Sequence, residues 1–380
     1  MVRITKYSPQ NLLKFKAFYA IIYSTIYSRS IAMFDITKID ANFKVGNTIN
    51  IEGIKYYSCF EPQFSIHGIK HNGIFFYRLP DSVAAQVNEG VKNLGPHTAG
   101  GRIRFKTSSP YVAISVKYAC VCKMAHFAFC GSIGFDLYAD GTYISTYSPA
   151  VDIVDTYEGV IYLGESKMRE ITINFPLYSA VNMLFIGLDE KSEIEPPAPY
   201  KNPVPAVFYG SSITQGGCAS RPGTCYQAPV SRHFDLDYIN LGFAGSALGE
   251  DVMADYISGL EMSAFFYDYD HNAPSTEHLL ATHEKMFKKI REKNPNLPII
   301  CMSRPIKNRN ADENRRLEIV KATYENARAQ GDENVYFLGG DDLTALCGNE
   351  GTVDNCHPTD FGFGAMADAI IKLCEKNKIF

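Results

Sequence analysis

Hydrophobic and polar positions follow two different rhythms along this chain. Between residues 36 and 195, short runs rich in aromatic and β-branched residues fall at 60–66, 74–79, 101–106, 111–117, 135–138, 160–163 and 169–175, separated by Gly, Pro, Asn or Asp. Such runs predict strands. Ile103 and Phe105 alternate with Arg102, Arg104 and Lys106, the pattern of a strand with one buried face. Seven strands with no long amphipathic helix between them predict an all-β, jelly-roll-like sandwich. Residues 196–205 hold Pro196, Pro197, Pro199, Pro203 and Pro205, which predicts a stiff, extended connector. From residue 206 to 380 the rhythm changes. Apolar runs at 204–209, 237–241, 264–269, 298–303 and 335–338 alternate with helical periodicity near 226–234, 250–260, 275–293, 311–330 and 362–377. This alternation predicts a parallel sheet with helices on both faces and a site at the carboxyl edge of its strands.

Residues 1–35 fit neither rhythm. Basic residues Arg3, Lys6, Lys14 and Lys16 precede a short run from Ala17 to Tyr27 that carries Tyr, Ser and Thr, and Ser30-Ile31-Ala32 has the form of a cleavage site. The run makes a poor signal peptide and is too short for a membrane span. Met33 opens the better-patterned sequence and is a candidate true start. A cytoplasmic location is favoured, with a secreted or periplasmic one if residues 1–32 are a signal.

Length and composition narrow the reading. At 380 residues the chain fits two domains, each able to bury a core, and 46% hydrophobic and 21% charged residues are those of a folded protein. A net charge of −4 gives no electrostatic argument for nucleic acid or an anionic membrane as partner. Among ten cysteines, no two Cys-x-x-Cys motifs with zinc spacing occur. Cys218 with Cys225, and Cys347 with Cys356, bracket segments a disulfide could close; buried free thiols in a reducing compartment are the alternative.

Two stretches carry chemistry. Val204 to Tyr209 is an apolar run broken by Gly210-Ser211-Ser212. A serine where a buried strand gives way to a helix projects its hydroxyl beyond the sheet edge, beside free helix N–H groups. Ser212 is therefore either a nucleophile or a helix cap. Far downstream, Asp354-Asn355-Cys356-His357-Pro358 stands just before the last helical pattern. A carboxylate three residues before an imidazole fixes its tautomer, and the imidazole can take a serine's proton. Taken singly, Asp354 reads as a turn residue and His357 as a surface side chain.

Together with Asn240-Leu241-Gly242-Phe243-Ala244-Gly245-Ser246, these blocks stand in the order and spacing of the SGNH (GDSL-type) hydrolases, a family of esterases and acyl transferases that the chain resembles. Gly134-Phe135-Asp136-Leu137-Tyr138 resembles the signature of the amino-terminal domain that precedes some of these esterases. The resemblance implies a three-layer, flavodoxin-like α/β domain behind the sandwich, and a catalytic triad of Ser212, His357 and Asp354. It also implies an oxyanion hole from the backbone N–H groups of Ser212 and Gly245 and the side-chain amide of an Asn. The chain departs from the family at two points. Ser211 replaces the Asp of the usual Gly-Asp-Ser, and Asp268-Tyr269-Asp270-His271-Asn272 replaces the usual Gly-x-Asn-Asp. A carboxylate at Asp270 would repel an oxyanion, so Asn272 is taken as the donor.

Arg221, His271 and Arg304 are candidate substrate-binding residues, with solvated charge or loop brace as the alternative for the arginines. Asp136 and Tyr138 are more often packing residues than ligands. Asp268, Asp270 and His271 match no zinc or calcium spacing, so no metal and no cofactor is expected. The reading is a serine esterase that removes a small acyl group, acetyl foremost, from a carbohydrate, with no nucleic acid or membrane partner. An acyltransferase using the same site, or an inactive glycan-binding protein, is the alternative. Sugar, acyl position and oligomeric state are not legible.

Overall fold

A computed structural model describes residues 49–380, so the stretch 1–35 lies outside the described residues. The described part opens with antiparallel strands β1 (Ile54–Ser58), β2 (Ser65–His67), β3 (Lys70–His71), β4 (Phe76–Tyr77), β5 (Arg102–Thr107), β6 (Tyr111–Cys120), β7 (Phe135–Ala139), β8 (Thr142–Tyr147), β9 (Thr156–Tyr162), β10 (Arg169–Asn174), β11 (Ala180–Asp189) and β12 (Ile194–Glu195). They form one sheet in the order β1-β11-β6-β9 and another in the order β12-β5-β10-β7-β8, with β2 also paired to β5 and β3 paired to β4 as a small ribbon. Ile103, Phe105, Leu137, Ile171 and Ile173 from one sheet meet Val112, Ile114, Val116, Leu184 and Ile186 from the other in a single core. The sandwich is as expected.

Its details differ from the sequence reading, which gave no run for β1 or β8. The run at 60–66 is mostly turn, and only its end joins β2. The central strand β11 escaped notice although it is ten residues long, because its apolar residues do not alternate cleanly with polar ones. Helices Asp81–Val87 and Glu89–Leu94 interrupt the β region. Leu79, Ala84 and Val91 are buried in the core of the following α/β layers, so tertiary packing recruits this segment.

The expected solvent face of β5 is also covered. Arg102 and Arg104 are only 2% and 6% exposed. Arg102 pairs with Asp237 and lies 3.8 Å from the Tyr238 ring centroid, while Arg104 pairs with Glu170 and stacks 3.9 Å from Tyr200. The connector is therefore pinned by Tyr200, whose hydroxyl accepts from Arg102 Nε at 3.2 Å. Its last residues, Asn202 to Pro205, already belong to a strand. Pairing with the neighbouring strand skips from Asn202 to Ala206, because Pro203 and Pro205 have no N–H to donate.

That strand is β13 (Asn202–Gly210), followed by β14 (Leu236–Gly242), β15 (Ala264–Asp268), β16 (Ile299–Met302) and β17 (Val335–Leu338). They form a parallel sheet in the order β14-β13-β15-β16-β17. Alternation along β13 explains the layering. Val207 and Tyr209 enter one core with helices Asp251–Ser258, Thr276–Lys293 and Ala311–Ala329, whereas Ala206 and Phe208 enter the other with helices Gln227–Phe234 and Asp360–Asn377. Ser275 caps its helix, accepting from the His278 N–H at 3.2 Å. The strand order reverses beside β13, which makes the carboxyl end of β13 a topological switch point.

Candidate active site

At that switch point β13 ends in Gly210, and Ser211 caps a one-turn helix, Ser212–Gln215, with its hydroxyl accepting from the Ile213 N–H at 3.1 Å. Gly210 is required. A Cβ there would lie 1.8 Å from Asp268 Oδ1. Helix Ser212–Gln215 ends on Gly216 at φ 102°, and Gly217 follows, where a Cβ would crowd Tyr178 Oη at 3.0 Å and His357 Cδ2 at 3.2 Å. The turn is small so that the imidazole can approach it.

Ser212 Oγ lies 2.9 Å from His357 Nε2, and His357 Nδ1 lies 2.8 Å from Asp354 Oδ2. The other carboxylate oxygen of Asp354 accepts the N–H groups of His357 at 2.7 Å and Cys356 at 3.0 Å. Burial pushes the Asp354 carboxyl up, but the N–H, ring and charge of His357 outweigh it and hold Asp354 below the usual carboxylate range. A polar chain thus runs from an anionic carboxylate through an imidazole to a hydroxyl, across 145 residues of sequence. Nδ1 faces the carboxylate and so carries the proton, which leaves Nε2 as the acceptor. The imidazole is 24% and the Asp354 side chain 37% exposed, so the site is shallow and open to water.

Gly245 sits exposed at φ 65° in the loop after β14. The adjacent N–H groups are committed, that of Ala244 to Gln215 Oε1 at 3.1 Å and that of Ser246 to the Phe243 carbonyl at 3.0 Å. Asn272 donates from Nδ2 to the same Phe243 carbonyl at 3.2 Å, so its amide is held against the Gly245 loop. Asp270 turns away: its carboxylate is buried, accepting from His271, from Ser303 Oγ at 2.6 Å and from the Arg304 N–H at 3.1 Å.

The arginines are braces rather than free donors. Arg221 donates to Asp136 Oδ2 at 2.8 Å and to Tyr138 Oη at 2.6 Å, and lies 3.8 Å from the Tyr143 ring centroid. Asp136 also accepts the Gly223 N–H at 2.8 Å and the Asn174 amide at 2.7 Å. Asp136 and Tyr138 therefore clasp the loop that follows Ser212, and Arg221 stands as its anchor, the loop brace that the sequence left open beside a substrate donor. Arg304 donates to Glu313 at 2.7 Å and to the Asn355 carbonyl at 2.9 Å, bracing the segment between Asp354 and His357. His271 lines a cavity of about 170 Å³ with Arg304, Arg309 and Arg316. A cleft of about 340 Å³ lies elsewhere, between the sandwich and helix Gln227–Phe234, with none of Ser212, His357 and Asp354 on its walls.

Sequence reasoning missed several supports. Tyr178 Oη donates to the Ser212 carbonyl at 3.1 Å. Arg78 is 4% exposed and donates to the carbonyls of Leu94, His97, Asn240 and Gly242, so a buried cation holds the strand end that leads to Gly245. Beneath Ser212, Asp268 is 1% exposed and accepts from Thr214 Oγ1 and, at 3.4 Å, from the Ser211 N–H. Burial pushes its carboxyl up to about 8, with Asp270 adding like charge. The cysteines are free thiols in the described structure. Burial raises the Cys218 thiol to about 12 and the Cys347 and Cys356 thiols above their ordinary value, and Cys225 Sγ donates to Gln227 Oε1 at 2.7 Å.

Residues 203–375 match the model of the GDSL-like lipase/acylhydrolase family, and residues 54–194 that of the N-terminus of SGNH-hydrolase-type esterases. Among solved structures, one described as a GDSL-like lipase, from Bacteroides ovatus, is 28% identical with a TM-score of 0.75, covering 85% of this chain and 97% of that one. A salicylyl-acyltransferase of a tetracycline biosynthetic pathway is 20% identical with a TM-score of 0.71, covering 87% and 99%. An acetyl xylan esterase from the rumen bacterium Butyrivibrio proteoclasticus is 14% identical with a TM-score of 0.55, covering 86% and 99%. These last two share the fold. No curated protein matches the chain.

Proposed function

The chain belongs to the SGNH-type esterases of the GDSL-like lipase/acylhydrolase family, and from that premise we propose that it removes a small acyl group, acetyl foremost, from a carbohydrate. The observation that carries the reading is the continuous hydrogen-bonded path Ser212–His357–Asp354. Ser212 Oγ attacks the ester carbonyl carbon while His357 Nε2 takes its proton. Asp354, held ionised, orients the ring and stabilises the imidazolium that forms. The oxyanion is received by the N–H groups of Ser212 and Gly245 and by the Asn272 amide, each worth about 3 kcal/mol of barrier. As the tetrahedral intermediate collapses, the C–O bond to the sugar breaks and His357 returns the proton to the departing alcohol. Water, deprotonated by the same imidazole, then attacks the acyl-serine and releases the acid.

The openness of the site supports a bulky, hydrated alcohol partner over a buried lipid chain, since the triad imidazole and carboxylate both remain in contact with water. The same openness favours water over a second alcohol as acceptor. Carbohydrate esterases among the structural neighbours are in keeping with the substrate class. The test is acetate release from acetylated xylo- and manno-oligosaccharides by wild type and Ser212→Ala. The expected result is loss of essentially all turnover in the variant; equal slow release by both would end the proposal.

A further inference from the structure

Two side chains beside His357, those of His126 and Cys218, have no part in ester cleavage. The loop ahead of helix Phe129–Ser132 carries His126 from the sandwich to His357, with ring centroids 5.9 Å apart and planes tilted by 55°. Cys218 reaches the same place from the nucleophile loop, held at φ 74° in the left-handed region that a cysteine rarely adopts. One ligand atom from each of His126, Cys218 and His357 lies within 4.8 Å of the others. We propose that these three side chains form a site for a soft divalent cation of the zinc class, and that the cation shuts the hydrolase off by taking His357 Nε2 away from Ser212.

The ligand set selects the cation. Two imidazole nitrogens and one thiolate suit zinc, cobalt or their neighbours and not calcium or magnesium, which take oxygen. Zinc bonds of about 2.0–2.1 Å to nitrogen and about 2.3 Å to sulfur bring donors closer together than 4.8 Å, a contraction that rotation of the exposed His126 side chain can supply. The outer partner is already built. Asp354 Oδ2 at 2.8 Å from His357 Nδ1 is the carboxylate–histidine pairing that orients metal-bound imidazoles. Three protein ligands leave a fourth position, and Ser212 Oγ, 2.9 Å from Nε2, stands beside it. As the Sγ–metal bond forms, the thiol proton leaves to water.

A second grouping, Asp354 with Cys356 and His357, is also compact. It is disfavoured because a cation there would have to break the Asp354–His357 bond and lose that outer support. The ligands of the chosen site come from positions 126, 218 and 357, so no spacing motif in the sequence announces it. Binding stands independently of the proposed reaction; the inhibitory consequence rests on that reading.

The test uses the reduced full chain, freed of metal by a chelator and titrated with cobalt(II). A thiolate-to-cobalt charge-transfer band saturating at one equivalent is expected, abolished in Cys218→Ser, weakened in His126→Ala and displaced by zinc. Zinc should also abolish ester hydrolysis reversibly. His126→Ala, unchanged in rate without metal, should need on the order of tenfold more zinc. A band that persists in Cys218→Ser, or zinc potency unaltered in His126→Ala, would overturn the site. A band of the expected kind in a chain that hydrolyses no ester would support the site and defeat the reaction instead.

Discussion

Replacing Asp268 with Asn tests how the floor under Ser212 is held. The carboxyl is 1% exposed, one oxygen accepts from Thr214 and the Ser211 N–H, and the other has no partner among the described residues. Burial lifts it from an ordinary 3.8 to about 8, so the folded chain keeps the group protonated at neutral pH. The sign follows from proton counting. Above pH 4 the unfolded chain loses this proton while the folded chain retains it, so the group's contribution is complete below pH 4. It drains away as pH rises towards 8. At about 1.4 kcal/mol per pH unit, the drain between pH 5 and pH 8 is on the order of 3–4 kcal/mol. Asn is a neutral isostere that still accepts from Thr214 and does not titrate. Urea denaturation of wild type and Asp268→Asn at pH 5, 6.5 and 8 reads the difference directly. His97 and His283, which burial lowers to about 3 and about 4, cancel because both proteins carry them. The variant is expected to gain on wild type steadily as pH rises. A gap that stays constant, or that closes with rising pH, would refute a neutral, buried Asp268.

Two further substitutions probe the site and its clasp. Asn272→Ala should lower kcat for an acetyl ester by about 10²–10³-fold with little change in KM, measured by steady-state kinetics; an unaltered kcat would remove Asn272 from the oxyanion hole. Arg221→Ala leaves Asp136 buried without its cation, and thermal or urea unfolding should register a loss of about 3 kcal/mol. Asp136→Asn in the same background should recover part of that loss, whereas recovery by no partner change would mean the clasp is not ionic.

The parts of this molecule legible in the sequence are those written locally. The strand–turn around Gly210-Ser211-Ser212, the Asp-x-x-His-Pro step and the alternation of apolar runs with helical stripes each occupy a few consecutive residues, and each appears where expected. What escaped is written across distance. The Arg221–Asp136 pair spans 85 residues and ties two motifs that were read separately. Arg78 gives its protons to carbonyls, which every residue carries, so no pattern marks its partners. The helices within residues 81–94 went unread in a β region because the surface they cover belongs to the later layers. Arg102 and Arg104 looked solvent-facing for the same reason, since their covers are Tyr238 and Tyr200.

Active-site labelling bears most directly on whether Ser212 and His357 work as one unit. Wild-type protein treated with a fluorophosphonate and mapped by peptide mass spectrometry should carry one adduct per chain, on Ser212. Ser212→Ala should carry none and His357→Ala should label slower by several orders of magnitude. An adduct elsewhere, or labelling of His357→Ala at the wild-type rate, would contradict a serine activated by that imidazole.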